Sequence, residues 1–125
     1  MKLLLDTQVY LWYLEDSPRL TIQARGHILN AQAVVISAAS IWEAAIKVGT
    51  GKLEVDPLDL IAGVEGSGFT HLPVTAHHGA AVAALPPIHR DPFDRLLVAQ
   101  SVCESARLMT ADTQLARYPA AILMA

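Results

Sequence analysis

Lys2-Leu3-Leu4-Leu5-Asp6-Thr7-Gln8-Val9-Tyr10-Leu11-Trp12-Tyr13-Leu14 joins a short apolar segment to a helix through a single acidic residue. Lys2 to Leu5 reads as a strand buried on both faces, which is the habit of parallel rather than antiparallel sheets. The helix is entered directly from it, without a hairpin turn, so the unit reads as strand-then-helix. The layout recurs downstream. Glu43 lies just past Val34-Val35-Ile36-Ser37, Asp94 closes His89-Arg90-Asp91-Pro92-Phe93, and Asp112 follows Leu108-Met109-Thr110-Ala111. In alternating α/β proteins ligands collect beyond the carboxyl ends of the strands. Carboxylates gathered there repel one another and are costly to desolvate unless something positive neutralises them. A hard divalent cation is the simplest partner, and phosphoryl chemistry the leading use.

At 125 residues the chain is expected to form one domain spanning 1–125. It is 53% hydrophobic and only 17% charged, which predicts heavy burial or an apolar surface that meets a partner. No run is long enough for a membrane span, and the segment before Asp6 is too short for a signal peptide core. With Cys103 alone no internal disulfide forms, so a reducing cytoplasm is the expected location. The net charge of -3 does not exclude nucleic acid. Removing the four clustered acids from 12 leaves 8 against 9 basic residues.

Local signals place the elements. Strands are expected at Lys2–Leu5, Ala33–Ile36, Thr70–Val74, Arg107–Thr110 and Ala121–Met124. Helices are expected over 7–15, 21–31 and from Ser37 or Ser40 through Val48. Another starts at the cap-and-proline pair Asp56-Pro57 and is closed by Gly63, Gly66 and Gly68. Two more run from Thr75 to Leu85 and from Asp91-Pro92 to about Ser105, and a last short helix is capped by Asp112. The alternation predicts a three-layer α/β/α domain around a short, mostly parallel central sheet. Val9 to Leu14 is apolar on every helical face, which predicts an interface there.

Capping explains Asp6, Asp94 and Asp112 taken singly, since each falls at or near a helix start. Glu43 resists that explanation, being mid-helix, where an i,i+4 pair with Lys47 is the ordinary alternative. In Asp91-Pro92-Phe93-Asp94, proline belongs at the first helical position, so Asp91 is the expected cap and Asp94 the residue aimed at the site. No Cys/His spacing suits zinc, and no Ser–His or Cys–His pairing is legible. His77 and His78 are expected at the surface and His89 in a loop.

Together these residues resemble the PIN-domain family of metal-dependent ribonucleases, and within it the VapC-type toxins of type II toxin–antitoxin systems. The matching segments are Leu4-Leu5-Asp6-Thr7, Ser37 to Lys47, His89 to Gln100 and Thr110-Ala111-Asp112. They span the chain in the family's order. The Ser-x-x-Ser-x-Trp-Glu and Asp-Pro-Phe-Asp-Arg segments are the specific ones. The resemblance implies that Asp6, Glu43, Asp94 and Asp112 hold Mg²⁺ or Mn²⁺, with Thr7, Ser40 and Thr110 orienting them. Lys47 and Arg95 are candidates for substrate phosphate. It further implies an RNA substrate, a cognate antitoxin whose C-terminal segment blocks the groove, and a homodimer. The rival readings are a catalytically idle PIN-like RNA-binding or interaction domain and a receiver-type signalling domain. The second needs a late lysine, and none follows residue 52. A phosphatase of the haloacid dehalogenase type needs Asp-x-Asp where this chain has Asp6-Thr7-Gln8.

Overall fold

The computed structural model describes residues 1–125. In chain order the elements are β1 (Lys2–Leu5), α1 (Thr7–Leu14), α2 (Ile22–Asn30), β2 (Ala33–Ser37), α3 (Ala38–Gly49) and α4 (Pro57–Gly66). There follow β3 (Thr70–Leu72), α5 (Ala76–Ala81), α6 (Pro92–Cys103), β4 (Arg107–Thr110) and β5 (Ile122–Met124). All strands are parallel, in the order β3-β2-β1-β4-β5. β1 lies at the centre, with Leu4 opposite Val35 on one side and Leu108 on the other. The chain winds outward through β2 and β3, then returns to lay β4 beside β1. The crevice therefore opens at the carboxyl ends of β1 and β4, where the winding direction reverses.

Alternation along β1 divides the core. Leu3 and Leu5 pack with Val9, Tyr10, Ile28, Leu60 and Val64 from α1, α2 and α4. Leu4 faces the opposite layer, with Leu97 and Val98 of α6 and Leu115 and Tyr118. The sheet is thus covered on both faces, as the burial of all three leucines requires.

Several expectations change. The apolar helix α1 is covered largely by its own domain: Val9, Tyr10 and Leu11 are buried, and the Tyr10 hydroxyl donates to Leu60 O at 2.6 Å. Tyr13 packs on Phe69, and among the apolar residues of α1 Leu14 alone reaches 36% exposure. Gly63 does not close α4 but lies within it, at the crossing with α1. A Cβ there would stand 2.9 Å from the Tyr10 hydroxyl and 3.1 Å from Leu14. β3 stops at Leu72 because Pro73 has no N–H to donate. The segment expected as one helix to Leu85 ends as α5 at Ala81 and continues as a 3₁₀ turn, Val82–Ala84. The last helix reduces to a 3₁₀ turn at Leu115–Arg117. His77 is exposed, but His78 is not a surface residue. Its Nδ1 accepts the Thr75 N–H at 3.0 Å, its Nε2 lies 3.0 Å from Glu104, and it ties α5 to the end of α6. That contact holds the Glu104 carboxyl below its usual range.

Candidate active site

Asp6, Glu43, Asp94 and Asp112 line one cleft of about 400 Å³, together with Thr7, Gln8, Lys47, Asp91 and Ala111. Each arrives by a different local route. The Asp6 N–H donates to Met109 O at 3.0 Å, continuing the β1–β4 ladder. Its Oδ1 accepts the Val9 N–H at 2.8 Å as the cap of α1. Capping and site placement are therefore compatible uses of one carboxylate. Asp6 is 7% exposed, and burial raises its pKa above the ordinary value. Hydrogen bonds from Thr110 and Val9 oppose that shift, while the charges of Glu43 and Asp112 add to it.

Glu43 comes from the middle of α3. The Thr7 hydroxyl lies 2.6 Å from its Oε1, and Lys47 Nζ lies 3.2 Å from its Oε2, one helical turn on. Ser37, rather than Ser40, caps α3. This leaves Ser40 buried, with its Oγ 2.9 Å from Thr7 Oγ1. Asp94 sits in the first turn of α6 and donates its own N–H to the capping Asp91 Oδ1 at 2.9 Å. Burial, then the neighbouring charges of Asp91, Asp6 and Glu43, push the Asp94 carboxyl up to about 7 against a small opposing pull from His89. Asp112 follows β4. Its N–H donates to Thr110 Oγ1 at 3.0 Å, and its Oδ1 accepts the Gln114 N–H at 2.9 Å.

Two side chains have other positions than expected. Arg95 is turned away from the cleft: its guanidinium donates to Pro86 O at 2.9 Å, Val82 O at 3.2 Å and the Tyr118 hydroxyl at 3.2 Å. It fixes the segment before α6 and is not available to hold substrate phosphate. His89 does lie in a loop, yet its Nε2 stands 3.0 Å from Asp112 Oδ2 and 3.5 Å from Asp94 Oδ2. The sequence signal was its place five residues before Asp94. The loop path that brings it round is set by Tyr118, whose hydroxyl accepts the His89 N–H at 2.9 Å.

The donor set fits a divalent cation. Four carboxylates converge, two of them with raised pKa values, and Lys47 is the cation lining the same cleft. Hard oxygen donors of this kind suit Mg²⁺ or Mn²⁺ and disfavour soft metals. Asp6, Glu43, Asp94 and Asp112 are the residues that could hold it. Such a centre would serve water activation and charge neutralisation at a phosphate.

Residues 3–121 match the family described as PIN domain. No curated protein matches the sequence significantly. Among solved structures, the chain superposes on a component of VapBC2 from Rickettsia felis bound to a promoter DNA fragment. The TM-score is 0.72 at 14% identity, covering 100% of this chain and 99% of that one. DNA-bound VapBC from Salmonella typhimurium gives 0.70 at 19% identity, covering 99% and 98%. FitAcB from Neisseria gonorrhoeae gives 0.65 at 20%, covering 97% and 96%. At these identities the likeness is one of fold.

Proposed function

The chain belongs to the PIN domain family, and from that premise we propose that it is a metal-dependent endoribonuclease acting as the toxin of a type II toxin–antitoxin pair. The observation that carries the reading is the convergence of Asp6, Glu43, Asp94 and Asp112 on one cleft at the switch point of the sheet. A complete set of four carboxylates, three of them held by hydroxyls or backbone N–H groups, favours an active enzyme over an idle binding domain.

Asp6, Glu43, Asp94 and Asp112 would hold Mg²⁺ or Mn²⁺, which would lower the pKa of a water and relieve charge on the phosphodiester. Thr7 and Thr110 orient Glu43 and Asp6, and Ser40 supports Thr7 from behind. That Lys47 lines the cleft with 41% of its side chain exposed supports it as the candidate to meet a substrate phosphate. No side chain here is arranged as a nucleophile, so water attacks.

The fold likeness to VapBC and FitAcB components and to a toxin–antitoxin complex from Klebsiella pneumoniae supports an antitoxin as partner. By the family resemblance alone, its C-terminal segment would lie in the acidic cleft and present an Arg to the carboxylates. Trp42, Ile46, Leu58 and Ile61 remain exposed on α3 and α4, which supports a homodimer or a partner interface there rather than on α1. No helix is long and apolar enough to cross a membrane, and the proposed location is the cytoplasm. The test is cleavage of structured RNA by the purified chain. Cutting should require Mg²⁺ or Mn²⁺, stop in EDTA and be lost in Asp6→Asn with the fold intact. Cutting that survives thorough chelation overturns the metal mechanism.

A further inference from the structure

The imidazole of His89 is held from every side. Its Nδ1 accepts the Asp91 N–H at 3.0 Å, and its own backbone N–H donates to the Tyr118 hydroxyl at 2.9 Å. That hydroxyl also receives Arg95 Nη1 at 3.2 Å, and Arg95 is anchored on the carbonyls of Pro86 and Val82. A backbone N–H can only donate, so Nδ1 must offer its lone pair. A neutral imidazole has one proton, which is then on Nε2. Nε2 has Asp112 Oδ2 as its acceptor at 3.0 Å, with Asp94 Oδ2 nearby at 3.5 Å.

Resting on the metal reading of this cleft, we propose that His89 is a positioning residue that donates from Nε2 to the carboxylate of Asp112, beside that of Asp94, and is not itself a ligand of the ion. Nε2 and one oxygen from each carboxylate lie within 4.8 Å of one another, so the same three residues could be taken for a ligand set. The hydrogen bonding decides between the roles. Coordination through Nε2 would need that nitrogen's lone pair, and Asp112 would lose its donor. Kept protonated there, the ring holds the Asp112 carboxylate, which follows β4, and stands 3.5 Å from that of Asp94 in the first turn of α6, an element that no secondary structure joins to Asp112. Ligating carboxylates are generally fixed by such outer hydrogen bonds, and losing one typically costs 10–100-fold in metal affinity. The Nδ1 contact adds a second link, because Asp91 is the cap from which α6 starts.

Three measurements on the full chain test this. In the metal-free protein, nitrogen NMR should find the Nε2–H tautomer of His89; an Nδ1–H tautomer overturns the proposal. With Mn²⁺ bound, pulsed EPR should show no directly coordinated nitrogen, and a strongly coupled nitrogen overturns it. His89→Ala should weaken Mn²⁺ binding about 10–100-fold. His89→Gln, whose amide can donate from near the Nε2 position, should recover much of that loss. His89→Asn, which keeps only the acceptor for Asp91, should not. Unchanged affinity in His89→Ala overturns the role of His89 alone. A wild-type chain that takes up no Mn²⁺ overturns the metal reading itself. The first two measurements need no variant, so a misfolded substitution does not protect the proposal.

Discussion

The Thr7 hydroxyl is bonded to Glu43 Oε1 at 2.6 Å, joining the first turn of α1 to the middle of α3 across 36 residues of sequence. A hydroxyl has one proton, and the short contact to a carboxylate claims it. Ser40, 2.9 Å from the same oxygen, must then donate to Thr7 rather than accept from it. Thr7→Val keeps the shape and removes both contacts. It should cost about 1–3 kcal/mol through the buried groups left unsatisfied and weaken Mn²⁺ binding about 10–100-fold. Thr7→Ser should do neither. Chemical denaturation and metal titration of the two variants check this.

Asp91 and Asp94, three residues apart, should separate stability from activity. Asp91→Ala removes the cap of α6 and should cost about 0.5–2 kcal/mol, leaving most of the RNA cleavage per folded molecule. Asp94→Ala should abolish cleavage and raise the stability of the metal-free chain by relieving desolvation and repulsion. Melting temperature and cleavage rate, measured on both, decide the assignment. An inactive Asp91→Ala beside an active Asp94→Ala would reverse it.

The metal-free protein should lose stability as pH rises from 3.8, the ordinary value for Asp94, to about 7, its value in the fold. Over that window the folded chain binds more protons than the unfolded one, so the slope of stability against pH is negative. Asp6, shifted in the same direction, adds to it. The Asp94 contribution is at most about 4 kcal/mol, at about 1.4 kcal/mol per pH unit. Saturating Mg²⁺ binds the ionised carboxylates and should flatten or reverse the slope. Melting curves in EDTA and in Mg²⁺ at matched ionic strength test the sign.

Arg95→Lys should behave as a stability variant. A lysine cannot reproduce the planar fork that spans Pro86 O, Val82 O and the Tyr118 hydroxyl. The expected result is a lower melting temperature with no change in the salt dependence of RNA binding. Lys47→Ala should show the opposite pattern, with weaker and less salt-sensitive binding.

Much of the fold was legible because its signals are local. The apolar strand ahead of Asp6, the β-branched run at Val34–Ile36 and the cap-and-proline pairs at Asp56 and Asp91 each act within a few residues. The different places of Asp91 and Asp94 were equally local, since proline at the first helical position fixes which acid caps. Asp6, Asp94 and Asp112 could be read locally because each follows a strand or lies in a helix's first turn, whereas mid-helix Glu43 joined them through the family resemblance.

What only the tertiary structure decided depends on partners distant in sequence. His89 reaches the site through Tyr118, 29 residues on, and His78 is buried against Glu104, 26 residues on. The apolar faces of α1 are covered by α4 through Tyr10 and Leu60, 50 residues apart. Arg95 looked free for phosphate because nothing in its neighbourhood of sequence reveals four waiting acceptors. Composition and periodicity determine which faces must be buried. The sheet order β3-β2-β1-β4-β5 determines what buries them, and therefore which polar side chains spend their hydrogen bonds on the fold and which remain for the cleft.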